Sequence, residues 1–155
     1  MQIIHLNYFL ASIIAYLGLL LGIILIKFAP EEQKPGKKYF ILIKKIIFFF
    51  IIAFPLFYYK INIILASVLL IFIIILMLNK KMNLEKSALV YLLLGIVFYL
   101  SSKIFNLFII ETALIFLYGM PNSSLMINVK RKNYKDEFVR NLWFFLPVVA
   151  LYLIF

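Results

Sequence analysis

The sequence predicts an all-α fold, a polytopic membrane bundle of about six transmembrane helices with the N-terminus and the C-terminus outside. Three observations predict it. Of the 155 residues, 66% are hydrophobic, more apolar surface than a soluble domain of this size can hide from water. Apolar blocks approaching the thickness of a bilayer recur along the whole chain. The sixteen Lys and Arg sit almost entirely in the short connectors between those blocks. No connector is long enough to form a soluble domain, so 1–155 reads as a single integral membrane domain. Lipid offers no partner to a free backbone N–H or C=O, and open strands leave their edges unpaired there, so the spans are expected to be helices.

The first span covers Asn7 to Phe28 and is closed by Ala29-Pro30. A polar turn follows, in which Pro35-Gly36 suits a type II turn with Gly36 at positive φ. The second span runs from Ile41 to Tyr59, with Lys44 and Lys45 one turn inside its apolar run. Its first turn is therefore expected at headgroup depth. A tight turn at Lys60 leads to the third span, Ile61 to Leu78. The fourth and fifth, Ser87 to Ser102 and Ile104 to Met120, form a hairpin, and Asn122 or Ser123 is placed to cap a short surface helix beyond it. The sixth, Phe138 to Phe155, is short: the 14 residues beyond Asn141 make about 21 Å of helix against a hydrocarbon core of about 30 Å. Pro55 and Pro147 each remove a backbone donor, which frees the carbonyls of Ile51 and Trp143 one turn earlier.

Charge sets the expected threading. Fourteen of the sixteen basic residues fall in or beside the first, third and fifth connectors, leaving only Lys60 and Lys103 in the second and fourth. The positive-inside rule then puts the odd connectors in the cytoplasm. Lys37, Lys38, Lys130, Arg131 and Lys132 form a basic rim suited to anionic lipid, so the lipid bilayer is the first expected partner. The bias to Ile, Phe, Lys and Asn suggests a prokaryotic source and the cytoplasmic membrane as the address.

Several chemistries are excluded. The net charge of +10 is spread over connectors rather than gathered into a recognition surface, so nucleic acid is not an expected partner. With no Cys and one His, thiolate and multi-His metal sites are ruled out, and no cofactor is implied. There is no GxSxG nucleophile, HExxH pair or P-loop.

Within the first span, Ala11, Ala15, Gly18 and Gly22 share one narrow face at helical spacing, a small-residue seam on which another helix can approach closely. His5, Tyr8, Ser12 and Tyr16 form a second stripe beside it. The fifth span raises the sharpest question, because a carboxylate, Glu111, sits in the middle of "FNLFIIETALIFLYG". Equal depth on the expected topology brings Ser12, Tyr16 and Ser67 level with it, and Gly95 on the neighbouring span leaves room. No Lys or Arg shares that depth, so a neutral acid bonded to Tyr16, Ser12 or Ser67 inside the bundle is expected.

Two functional classes follow. The first is a non-enzymatic accessory or scaffold subunit that assembles with itself as a homo-oligomer or with another membrane protein. The alternative is a small transporter or channel subunit with Glu111 as its protonatable site. An enzyme acting on lipid headgroups, built on Glu31, Glu32, Asp136 and Glu137, is a distant third.

Overall fold

The computed structural model describes residues 5–78, 88–126, 139 and 141–154, and every element among them is helical. In chain order these are α1 (His5–Phe28), a 3₁₀ turn (Pro30–Glu32), α2 (Gln33–Tyr58), α3 (Ile63–Leu78), α4 (Ala88–Ser101), α5 (Phe105–Met126), a second 3₁₀ turn (Leu142–Phe144) and α6 (Phe145–Ile154). Three of them, α1, α2 and the Phe105–Leu125 stretch of α5, are long and apolar enough to cross a membrane. The other three are apolar but shorter, and the 16 residues of α3 amount to about 24 Å at the usual rise.

Packing begins where α1 meets α5. A Cβ on Gly18 would overlap the carbonyl of Phe116, with Phe116 Cα only 2.8 Å away, and one on Gly119 would lie 2.6 Å from Leu19 N. One turn on, Gly22 faces Met120 and Ser123. The seam is therefore small-xxx-small on both sides, Gly18 and Gly22 against Gly119 and Ser123, and the backbones touch as they do in close membrane helix pairs. Residue numbers rise together across it, so α1 and α5 run parallel. The face carrying Ala15, Gly18 and Gly22 is spent on this internal contact, and Ala11 is partly buried beside it.

The stripe beside that face meets α6. Tyr8 donates from its hydroxyl to the carbonyl of Val148 at 2.9 Å, the Tyr16 and Phe145 rings lie 5.0 Å apart, and Tyr152 bonds to His5 Nδ1. These pairs make α6 antiparallel to α1. Helix α4 also runs against α5: Tyr91 pairs with Asn122, and Phe98 with Phe108. Gly95 lies under the Phe144 carbonyl and the Pro147 ring. The room expected beside Glu111 is thus used to seat the last helix instead.

Local structure departs from expectation at three prolines, each for a backbone reason. Pro35 and Gly36 lie inside α2, and no glycine has positive φ. Pro35 falls in the first turn, where a missing N–H has no helical partner to lose, so α2 starts at Gln33 and the reversal is made by the Pro30–Glu32 turn. Pro121 lies inside α5, which continues to Met126. Asn122 and Ser123 are buried in that helix rather than capping another. Pro147 falls in the first turn of α6, because the 3₁₀ turn ends and the helix restarts just ahead of it.

At Lys60 the chain closes α2 with a paired-bond C-cap: Lys60 N donates to Phe57 O at 3.1 Å and Ile61 N to Leu56 O at 3.2 Å. The capping residue is Lys60 at φ 50°, a left-handed position usually held by Gly. Asn62 then caps α3, its Oδ1 accepting from Ile64 N at 2.9 Å. Lys60→Gly is expected to stabilise the fold by about 1 kcal/mol through relief of the left-handed strain. Reversible unfolding in detergent micelles measures it.

Candidate functional site

On α5, Glu111, Ile115, Tyr118 and Asn122 recur at intervals of four, three and four residues, which places them on one face of the helix. All four are buried, with 0% exposure at Glu111 and 1% at Asn122. This face looks into the space enclosed by α1, α4, α5 and the Leu142–Phe144 turn. A cavity of about 10 Å³ lies there, lined in part by Tyr16, Tyr91, Ile115, Tyr118 and Phe144. That is close to the space one water molecule needs. Tyr91 holds the Asn122 side-chain amide by a hydrogen bond, while Asn122 Oδ1 keeps no partner among the described residues.

Glu111 does not line this cavity; it lies one turn of α5 before Ile115, on the Phe105 side. Neither of its oxygens has a hydrogen-bond partner among the described residues. The α1–α5 register, in which Tyr8 stacks on Phe108 and Gly18 meets Phe116, puts Ser12 beside the turn that carries Glu111. The Ser12 hydroxyl nevertheless donates to its own helix, to Phe9 O at 2.8 Å, and Thr112 likewise donates to Phe108 O at 2.7 Å. Ser and Thr in apolar helices often satisfy themselves this way. Ser67 sits elsewhere: it is exposed on α3 and bonds to the carbonyls of Ile63 and Ile64. Of the expected partners, the structure brings Ser12 near and Tyr16 to the cavity, leaves Ser67 outside, and gives the carboxylate a hydrogen bond to none of them.

Four buried polar residues near this core escaped the sequence reading of the site. Lys44 is buried on α2, 11 residues beyond the first residue of the helix, or about 16 Å along it. The Phe48 and Tyr118 rings lie 5.8 Å apart, which places Lys44, one turn from Phe48, at the level of Tyr118 and Asn122. Lys44 and Glu111 are the buried charged side chains among the described residues. Asn141, ahead of the last 3₁₀ turn, is buried with neither amide atom bonded among the described residues. Asn122 and Tyr91 complete the set. Only the α5 spacing could have signalled Asn122, and it was lost where the span was expected to end at Met120.

At the end of the bundle that carries Lys27, Lys34, Lys37 and Lys38, Gln33 Nε2 donates to Ser124 O at 2.8 Å and ties α2 to α5. Lys37 and Lys38 are exposed there. Lys130, Arg131 and Lys132, along with Asp136 and Glu137, lie outside the described residues. Among the described residues no group of three or more His, Cys, Asp and Glu is gathered as a metal site would need. Comparison with protein-family models, curated proteins and solved structures finds no match to this chain.

Proposed function

We propose that the chain is a small multi-pass protein of the cell membrane with about six spans, acting as a non-enzymatic accessory subunit that assembles with itself or with another membrane protein. The observation that carries this reading is the exposed apolar surface of α3. Helix α3 exposes most of its length and packs chiefly on α2. A helix apolar on every side belongs in lipid or against other helices. The parallel pairing of α1 with α5 and the antiparallel runs of α4 and α6 fit the alternation of a six-span chain, and the one-sided basic residues fit its orientation.

Cysteine crosslinking tests it, since the chain has no Cys of its own. Ser67→Cys is expected to be well tolerated, because the hydroxyl bonds only to its own helix. In native membranes a bifunctional thiol reagent should join Ser67→Cys, and other single cysteines along residues 63–75, to a second copy or to another protein, with helical periodicity. Crosslinks at no position, with the variants folded, remove the accessory reading.

A second reading is favoured by a separate observation, the fully buried Glu111 with both oxygens unpaired among the described residues. An acid inside a membrane helix bundle is a functional candidate. It suits a small transporter or channel subunit with Glu111 as its protonatable site.

A further inference from the structure

A chain with six spans carries its shorter helices across the same bilayer as its longer ones, and the exposed surfaces of the two differ in length. On α1 the exposed side is apolar from Leu6 to Leu25, about 28 Å at the usual rise and close to a hydrocarbon core of about 30 Å. On α4 the exposed strip is Leu89, Leu93, Ile96 and Leu100, only about 16 Å long. Polar groups mark both of its ends. Lys86 precedes α4 in the sequence. At the other end the exposed Lys103 folds back along the helix, with Nζ over the Tyr99 ring at 4.6 Å from the centroid. At the same level Tyr59 donates to Leu100 O at 2.6 Å, a depth that suits an interfacial tyrosine.

The last helix continues this short side. Gly95 of α4 meets Phe144 O and the Pro147 ring, so the two helices share one surface. The Tyr16 and Phe145 rings lie 5.0 Å apart and align α6 with α1. From Tyr16 to Leu25, α1 runs on for about 13 Å. From Phe145 back to Leu142, where Arg140 and Asn141 end the apolar run in the sequence, is about 6 Å at the rise of a 3₁₀ turn. Trp143, the one tryptophan of the chain, is exposed in that turn, and indoles favour the headgroup boundary.

We propose that the surface formed by α4 and the Leu142–Ile154 segment binds a shell of short-chain phospholipid and thins the bilayer there, while α1 faces a bilayer of ordinary thickness. This depends on the six-span threading proposed above. A protein occupant fits the surface less well. Helices that pack against each other in lipid use small residues, and Gly95, the small residue in the middle of α4, is already covered by Phe144 and Pro147. The strip that remains is leucine and isoleucine. Mismatch costs little per ångström, so lipids of matching length are enriched around the surface rather than held tightly.

Trp143 stands on this surface and reports its lipid. In proteoliposomes of dibrominated dioleoyl phosphatidylcholine, bromine quenches the indole, and an unbrominated competitor relieves the quenching in proportion to its share of the surrounding shell. Dimyristoleoyl phosphatidylcholine is expected to displace the brominated lipid about twofold better than dioleoyl does, and dierucoyl about twofold worse. Moving the reporter to α1, as Trp143→Phe with Leu17→Trp, should abolish the preference for the short chain; Leu21→Trp serves if the first variant folds poorly. Equal displacement by all three lipids at Trp143, a preference for dierucoyl, or the same short-chain preference on α1 overturns the one-sided thinning. No quenching at Trp143 means that protein covers the surface, and overturns it as well. Threading is checked separately with a membrane-impermeant thiol reagent, which should label Lys81→Cys from the face that labels Lys37→Cys, and Asn106→Cys from the other. Any other labelling pattern removes the six-span reading, and the thinning with it, whatever the quenching shows.

Discussion

Replacing Gly18 with leucine is expected to cost about 3 kcal/mol of stability, the upper part of the usual range for overpacking. The sign is what makes the experiment informative. On intrinsic propensity alone, Gly to Leu inside a helix gains nearly 1 kcal/mol. At Gly18, however, the first side-chain carbon already meets the main chain of Phe116, with its carbonyl carbon 2.6 Å away. Main chain cannot rotate aside as a side chain can, so α1 and α5 must separate. Their separation also opens the Gly119 contact with Leu19 and loosens the Ser124 approach to the Gly22 carbonyl at 3.5 Å. Gly36→Ala is the matched control. There the new carbon meets the ring of Phe40 at 2.9 Å, a side chain with freedom to move, and a gain of about 0.5–1 kcal/mol is expected from helix propensity. Equilibrium unfolding in mild detergent should show a loss at 18 and a gain at 36. Gains at both positions mean that α1 does not lie on α5.

Because that seam is internal, the GxxxG of α1 is not free to pair two copies of the chain, and assembly has to use another surface. The seam also shows what can be read from one sequence. Four small residues at helical spacing marked a face on which backbones touch, but not the helix that would fill it. The missing half lay in "GMPNSS", where Pro121, Asn122 and two serines look like a chain reversal. Once buried, the same residues behave differently: Ser123 donates to Gly119 O at 2.8 Å and Ser124 to Met120 O at 2.9 Å, and α5 continues past its proline. Tertiary packing overrides local preference at this point. With α5 expected to stop at Met120, Asn122 fell outside the candidate site.

Helical class and the position of Glu111 were legible because hydrophobic runs and a lone acid are visible one residue at a time. Partners were not, since they depend on rotation about each helix axis. Ser67 shares the expected depth of Glu111 but sits on a helix that packs chiefly on α2, so depth alone misassigned it. Gly95 was expected to make space for the carboxylate and instead accepts Phe144 and Pro147, because α6 takes that side of α4. Lys44 looked like an interfacial residue only because Pro35-Gly36 hid the first turns of α2.

Replacing Glu111 with methionine, similar in volume and apolar, is expected to raise stability by about 2 kcal/mol. Two costs of the native residue disappear together. A buried polar group without a hydrogen bond costs about 1–3 kcal/mol in proteins, and both Glu111 oxygens are in that condition among the described residues. A buried charge left unpaired costs more still, so the acid is held neutral or held at a penalty. Glu111→Gln should gain much less, because its amide meets the same unpaired surroundings. The order Met above Gln, with Gln close to the native chain, is the expected result of denaturant titration in micelles. The reverse order, with methionine the least stable, means that the carboxyl has a partner that holds the helices together, and its place in the core is then structural. With the expected order, a residue that weakens the fold occupies one of the most protected positions in α5. Selection for packing alone does not favour such a residue, so this order would support the second reading proposed above over a purely structural place for Glu111.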